Sequence, residues 1–195
     1  LDFVDLGPLQ WSRQTDTPKF KKHFQKHRID SPAGGYFFVA WNLRHRLFQD
    51  AQVRTALAHL VDTKAVVNKL LFGLAKTTTG PNSSATKGYD HSLPVLRYDT
   101  EEAKLLLKEA GWADHDGDGW LDKNGECFRF TLLYPSVGTF YEKFAPIFRE
   151  NLQKAGIDMD LKRLEWVAFS REIDQRNFEA LIGGWSGGWP TENYQ

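Results

Sequence analysis

The sequence predicts an α/β fold whose mixed, largely parallel sheet is flanked by helices. Its second half alternates strand, helix, strand, helix and strand between residues 128 and 182. This order implies right-handed crossovers that place the strands side by side and parallel. Apolar residues make up 41% of the 195 residues and aromatic residues 14%, so the chain can bury a core. The length suits one domain over 1–195, or two small ones.

The first half of the chain supplies one strand and two helices to this prediction. A basic stretch at 19–28 precedes them. Residues 36–41 are apolar and rich in aromatic side chains, which favours a buried strand. Apolar residues then recur at helical spacing over 53–61. Asp62 is placed to cap a second helix, which ends at Gly73.

A long turn-rich loop over 76–94 separates the two halves, and loops of this length are often functional. After it, Asp99 followed by Glu102 predicts the start of a helix, and Gly111 predicts its end. The remaining elements are strand 128–134, helix 140–155, strand 157–164, helix 166–175 and strand 178–182. Ligands of parallel sheets bind beyond the carboxyl ends of the strands, which here are 134–135, 164–166 and 183–185.

The charge balance argues against two classes of function. The chain has 25 Lys and Arg against 25 Asp and Glu, so its net charge is zero. A protein that neutralises nucleic-acid phosphates needs a basic excess, and a polybasic membrane binder needs one too. No apolar run reaches the length that crosses a bilayer. Because the sequence begins at Leu1 without an initiator Met, we expect a mature chain or a fragment.

The sequence predicts no catalytic set. Cys127 is the single cysteine, so neither an internal disulfide nor a thiolate metal cage can form. There is no Gly-x-Ser-x-Gly elbow and no phosphate-binding glycine loop ending in Lys-Ser or Lys-Thr. His45 and His59 are interpreted as surface or structural residues. Glu165 and Asp174 could form an acid/base pair, although a helix start and a solvated face explain them more simply.

An acidic loop partly matches a calcium-binding pattern. The aspartates fall at positions one, three, five and nine of a twelve-residue loop, as Asp114, Asp116, Asp118 and Asp122. Position twelve should be a bidentate Glu and is Gly125. The simpler interpretation is an acidic turn between a helix and a hairpin, because Asp and Gly both suit such turns. We therefore expect no cofactor, with weak calcium binding as the alternative.

Two tryptophans mark the same predicted edge of the sheet. Trp166 and Trp185 both follow the carboxyl end of a predicted strand. They could wall a binding cleft, or they could pack into the core against loops. The pattern alone leaves both interpretations open.

Several strings resemble the large extracellular solute-binding proteins of peptide ABC importers, a family that includes oligopeptide, dipeptide, nickel and sugar binders. Among the most specific is Asp-x-x-Val-Arg-x-Ala-Leu at 50–57. The others include Trp-Asn-Leu-Arg at 41–44, Ala-Gly-Trp at 110–112, Asp-Gly-Asp-Gly at 116–119, Leu-Glu-Trp at 164–166 and the stretch 178–185. The resemblance covers nearly the whole chain in the family's order.

The resemblance implies a periplasmic-binding-protein-like fold in which two lobes close on a ligand. Members of the family are about 500 residues long, and this chain resembles only the second lobe. It implies that 1–195 is a single lobe and a fragment of a longer chain. It also implies a periplasmic or extracellular location and an ABC permease as partner. No nucleic acid is expected, and membrane contact is expected only through the transporter or a lipid anchor outside this chain.

The resemblance also implies where a ligand would bind. We expect the contacts to come from Trp166, Gly184, Trp185, Ser186 and Trp189. Main-chain groups in this stretch would pair with an extended peptide as an added strand does. The aspartate that holds a peptide's amino terminus in the peptide binders is replaced here by Gly188. Capture of a peptide by its free amine is therefore not expected.

The leading hypothesis is a solute-binding protein that captures a peptide or another small polar solute by lobe closure, without catalysis. One alternative is a carbohydrate-active hydrolase with Trp-lined subsites, which would need two carboxylates roughly 5–9 Å apart. The other alternative is an interaction domain with a calcium-stabilised turn.

Overall fold

The computed structural model describes residues 3–29, 35–84 and 87–185. These residues form two compact units. The first unit includes the described residues of 1–35 and of 63–95, and the second unit consists of 36–62 and 96–185. No helix among the described residues is both long and apolar enough to cross a bilayer.

The strands and helices lie close to the predicted positions. Among the described residues the strands are β1 (Tyr36–Trp41), β2 (Asp122–Lys123), β3 (Glu126–Cys127), β4 (Arg129–Pro135), β5 (Asp158–Leu164) and β6 (Ala180–Trp185). The α-helices are α1 (Pro18–His23), α2 (Ala51–His59), α3 (Thr63–Ala65), α4 (Thr100–Glu109), α5 (Thr139–Lys154) and α6 (Trp166–Asp174). Short helices of other types cover Gln10–Gln14, Arg46–Phe48 and Val66–Leu70.

The first unit is built from short helical turns and irregular loop. The predicted helix from Asp62 to Gly73 is divided into α3 and a π-helical turn over Val66–Leu70. Phe72 and Gly73 both have positive φ angles, so the chain leaves the helical path there. The described residues of the loop over 76–94 contain only turns and bends, as the sequence predicts.

The second unit contains the predicted mixed, largely parallel sheet. Its strand order is β1-β6-β4-β5, and β4 runs parallel to both of its neighbours. β1 lies antiparallel to β6 at one edge. The remaining two strands, β2 and β3, form the hairpin expected after the acidic loop. The predicted α/β fold class is therefore confirmed.

Aromatic and aliphatic side chains pack on both faces of this sheet. On the face of α5, the ring of Trp41 lies 5.9 Å from that of Phe130 and 6.4 Å from that of Phe148. On the face of α6, Leu133 and Leu181 bury Phe169. The two faces of β4 therefore anchor the two crossover helices, which fixes where each helix begins at the sheet's edge.

The last strand is longer than the sequence predicts. The expected strand over 178–182 is displaced to Ala180–Trp185, because β1 pairs with β6 as far as Tyr36 opposite Trp185. Gly183 and Gly184 indicate a strand end by composition, yet both lie inside the ladder. Side chains of neighbouring elements fill the space where their own side chains would be.

Candidate functional site

The carboxyl ends of the parallel strands meet at one edge of the sheet. β4 and β5 end together, with Pro135 opposite Leu164. β6 ends and β1 begins at the same place. We define the carboxyl edge as residues 36–37, 134–141, 163–166 and 183–185.

The backbone of β6 is only half paired at the carboxyl edge. Its ladder with β4 ends at Leu181, whereas its ladder with β1 continues to Trp185. On the β4 side, no pairing within the described part of the chain engages the peptide groups of Gly184, whereas those of Gly183 and Trp185 face β1, because peptide groups alternate in direction along a strand. Peptide N–H and C=O groups in this position need partners, and an extended ligand chain is one source of them.

The two tryptophans lie at the same edge of the sheet as this open stretch of backbone. Trp166 is 54% exposed and Trp185 is 65% exposed, so neither packs in the core. Trp166 begins α6, and its ring lies 6.0 Å from that of buried Phe169. Trp185 lies on the same sheet face as Leu181, beneath α6, because side chains alternate along a strand. Since β4 lies between β5 and β6, the strand that ends shortly before Trp166 and the strand that carries Trp185 are about 10 Å apart.

A tyrosine that the sequence analysis missed supports the other face of β6. The Tyr141 hydroxyl lies 2.8 Å from the point that a Cβ on Gly184 would occupy. The Phe37 ring stacks on Phe140 at 3.9 Å and meets the Tyr141 ring edge-on at 5.7 Å. No described residue forms a hydrogen bond with the Tyr141 hydroxyl. Burial raises the pKa of this phenol, so it stays a neutral donor well above neutral pH.

The position of Tyr141 could have been anticipated in part. Helices that follow a strand in a parallel sheet start at the edge where ligands bind. Tyr141 lies in the first turn of α5, directly after the loop that follows β4. What no sequence pattern shows is that its hydroxyl reaches Gly184 on a strand that is not adjacent in sequence.

The charged groups at the carboxyl edge largely compensate one another. Arg163 forms an ion pair with Glu142 at 2.7 Å. The Arg163 guanidinium also donates to the backbone oxygen of Ser136 at 3.4 Å. Both side chains of the pair are about half exposed, so the pair itself contributes little stability. It does link the end of β5 to the start of α5.

The residues considered for catalysis are not assembled. Glu165 precedes α6 and Asp174 ends it, which separates their backbones by about 13 Å along the helix axis. The Cys127 thiol has a raised pKa, mainly through desolvation and then through the Asp158 carboxylate, which makes it a poor nucleophile. His45 contacts Glu179 at 3.1 Å, and His59 contacts the backbone oxygen of Arg97 at 2.8 Å. Both histidines therefore have structural partners.

The acidic loop brings together only three of its four aspartates. Carboxylate oxygens of Asp114, Asp116 and Asp118 lie within 4.8 Å of one another. The carboxylate of Asp122 instead accepts from the backbone N–H of His115 at 3.0 Å and contacts its imidazole at 3.0 Å. Each clustered aspartate also accepts at least one backbone N–H of its own loop. The loop is hydrogen-bonded as a turn without an ion.

The remaining predicted contacts lie outside the described residues. Ser186 and Trp189 fall in 186–195, and so does Gly188, which replaces the amine-holding aspartate. Their placement at a ligand site stays a prediction.

Comparison with known proteins identifies relatives over most of the chain. The family model for the middle part of bacterial extracellular solute-binding proteins, family 5, matches residues 1–195. The oligopeptide-binding protein AppA of Bacillus subtilis is 36% identical over 176 residues, which is 88% of this chain and 32% of AppA.

Solved structures agree with this match. The structure of Bacillus subtilis AppA in complex with a nonapeptide superposes with a TM-score of 0.76 at 34% identity, covering 80% of this chain and 32% of AppA. NikZ from Campylobacter jejuni, in complex with Ni(L-His), superposes with a TM-score of 0.70 at 25% identity, covering 80% of this chain and 30% of NikZ. The chain thus spans about a third of the length of these relatives.

Proposed function

The chain belongs to the bacterial extracellular solute-binding proteins of family 5, and from that premise we propose that it captures a solute for an ABC importer. The solute is a peptide or another small polar molecule. The chain acts as one lobe of a longer protein, which closes on the ligand and delivers it to the permease at the outer face of the membrane.

The open side of β6 is the observation that carries this proposal. A peptide needs main-chain partners, and Gly184 offers its N–H and C=O on the β4 side, where no described strand pairs with them. Glycine at position 184 lets the Tyr141 hydroxyl lie directly against this open backbone, because no Cβ projects there. The nonapeptide bound in the AppA structure supports a ligand of this class for a chain with 34% identity.

The side chains of the carboxyl edge have distinct roles in this proposal. Trp166 and Trp185 supply exposed aromatic surface at the same edge of the sheet as the open backbone. The Tyr141 hydroxyl, which lies against Gly184, provides a hydrogen-bond donor for a ligand carbonyl. Ser186 and Trp189 continue the contact surface along the chain.

The ligand is held without a fixed charge at its amino end. Gly188 provides no carboxylate for an ammonium group, and the Glu142 carboxylate is already paired with Arg163. Recognition therefore rests on main-chain hydrogen bonds and aromatic packing. Loss of one charge-assisted hydrogen bond corresponds to about 1.5–3 kcal/mol, which is roughly tenfold to over a hundredfold in affinity.

The hydrolase alternative lacks its required geometry. Glycoside hydrolysis needs two carboxylates about 5–9.5 Å apart, and the pair considered from the sequence occupies opposite ends of α6. No described feature of the carboxyl edge favours a chemical step over binding.

The test is calorimetric titration of the longer protein that contains this chain, with one peptide in N-acetylated and free-amine forms. We expect both forms to bind with affinities within about threefold, and Trp185→Ala to weaken both. A preference above about tenfold for the free amine would reveal a substitute carboxylate, such as Glu192 or one from the other lobe. Binding of neither form, with binding of a nickel–histidine complex instead, would remove peptides from the proposal.

A further inference from the structure

The first unit carries a strong local concentration of positive charge. Residues 19–28, here called the basic segment, contain five Lys or Arg and two His, and no acidic residue lies between Thr17 and Ile29. The whole chain has a net charge of zero, so the acidic residues that balance these cations lie elsewhere in the sequence. Net charge therefore conceals a patch that an anionic surface would attract.

Part of the basic segment is a helix with one cationic face. In α1, Lys19, Lys22 and His23 are three and four residues apart, so they project from the same side. All three are exposed, and none of their side chains has an ion pair or hydrogen bond with any described residue. Lys21 projects from another side and pairs with Asp16 at 2.6 Å. The cationic face is thus unused by the part of the chain that the structure describes.

Exposed apolar side chains lie in and next to the same segment. Phe24 is 58% exposed and Ile29 is 85% exposed. The Phe24 ring rests against Phe20 at 5.0 Å, and the chain is extended after α1. Lysines beside exposed aromatic and aliphatic side chains are the composition of segments that bind at the lipid headgroup layer.

We propose that the basic segment docks on an anionic lipid surface. Lys19 and Lys22 contact lipid phosphates, and Phe24 inserts its ring at the level of the headgroups. A bilayer fits this segment better than an acidic protein surface does. The anionic groups of a bilayer are mobile, and a bilayer accepts apolar side chains just below its headgroups. The contact is peripheral, and it does not depend on the solute-binding proposal.

The test is co-sedimentation of the whole chain with vesicles at low salt. We expect binding to vesicles of equal parts phosphatidylglycerol and phosphatidylcholine, and little binding to phosphatidylcholine alone. Each lysine near an anionic surface corresponds to about fivefold in partitioning, so Lys19→Gln with Lys22→Gln should lower binding about 25-fold. Phe24→Ser should lower the binding that survives at high salt.

A matched control separates the segment from the overall charge. Lys64 and Lys69 lie in the same unit, are exposed, and have no partner among the described residues. Lys64→Gln with Lys69→Gln removes the same charge and should change binding by about twofold at most, because neither lysine belongs to the basic segment. An equal loss of vesicle binding in both double variants would overturn the proposal. A failure of the unaltered chain to prefer anionic vesicles would overturn it as well.

Discussion

Gly184 lies where two aromatic side chains leave no room for a Cβ. A Cβ at this position would be 2.8 Å from the Tyr141 hydroxyl and 3.1 Å from the Phe37 ring. We expect Gly184→Ala to lower the free energy of unfolding by about 1–3 kcal/mol through overpacking. Urea unfolding measures the change. In a Tyr141→Phe background the cost should be smaller, because the nearest atom is gone.

Gly80→Ala is the matched control for this substitution. Nothing lies within 4 Å of a Cβ at Gly80, and its φ is not in the left-handed region. This variant should unfold at the same urea concentration as the unaltered chain, or at a higher one. If Gly80→Ala and Gly184→Ala lowered the free energy of unfolding equally, packing against Tyr141 would not be the cause of the loss at Gly184.

Tyr141 should make the fold sensitive to alkaline pH. Because burial raises its pKa in the folded state, the unfolded chain loses this proton first as pH rises. Stability from this group is complete below about pH 10, the ordinary tyrosine value, and is lost as pH rises through the folded pKa. Tyr141→Phe should therefore reduce the fall in the free energy of unfolding above about pH 10, measured by urea unfolding at several pH values.

The comparison needs a Cys127→Ser background. The raised pKa of that thiol acts in the same direction at alkaline pH. If Tyr141→Phe leaves the alkaline slope unchanged there, the phenol is solvated in the folded chain.

At the scale of single residues, the sequence predicted which side chains lie at the edge of the sheet better than it predicted which side chains contact one another. Trp166 and Trp185 follow strand ends, so a general rule for parallel sheets placed them at the edge. The roles of Tyr141 and Phe37 depend on packing between elements that are far apart in the chain, since Tyr141 is 43 residues from Gly184 and 104 residues from Phe37. No local pattern encodes such a contact.

The acidic loop is expected to bind calcium weakly or not at all. Both carboxylate oxygens of Asp114 already accept backbone N–H groups, from Gly117 at 2.7 Å and from Gly119 at 3.0 Å. Calcium needs six to eight oxygens, and Gly125 supplies no carboxylate. We expect calorimetry to give a dissociation constant weaker than about 10 µM, the range of calcium sensors. Tighter binding that is lost in Asp116→Asn would show that other groups complete the shell.

At the scale of elements, helices with clear signals were predicted almost to the residue. Asp99 caps α4 by accepting from the backbone N–H groups of Glu101 and Glu102, and Gly111 follows the helix with a positive φ. The end of β6 was predicted wrongly because Gly183 and Gly184 suggest a turn. Pairing with β1 overrides that local preference, and β1 comes from the far end of the chain.

At the scale of the whole molecule, lobe closure should bury the two edge tryptophans. In the longer protein, ligand should reduce acrylamide quenching of Trp166 and Trp185, which are exposed here. The double variant Trp166→Phe with Trp185→Phe should lose the ligand-dependent change. Trp112 is buried against Phe128 at 4.5 Å, so Trp112→Phe should retain it. Ligand binding with unchanged quenching would contradict closure over this edge.

The pairing of β1 with β6 has a consequence for synthesis of the protein. β1 leaves the ribosome well before its partner, since Trp41 pairs with Ala180, which is translated 139 residues later. At 5–20 residues per second, the interval is on the order of ten seconds. During that time an aromatic strand, Tyr-Phe-Phe-Val-Ala-Trp, has no edge to join. Nascent chains stalled before residue 180 should therefore be strong chaperone clients, and those released after β6 has emerged should not.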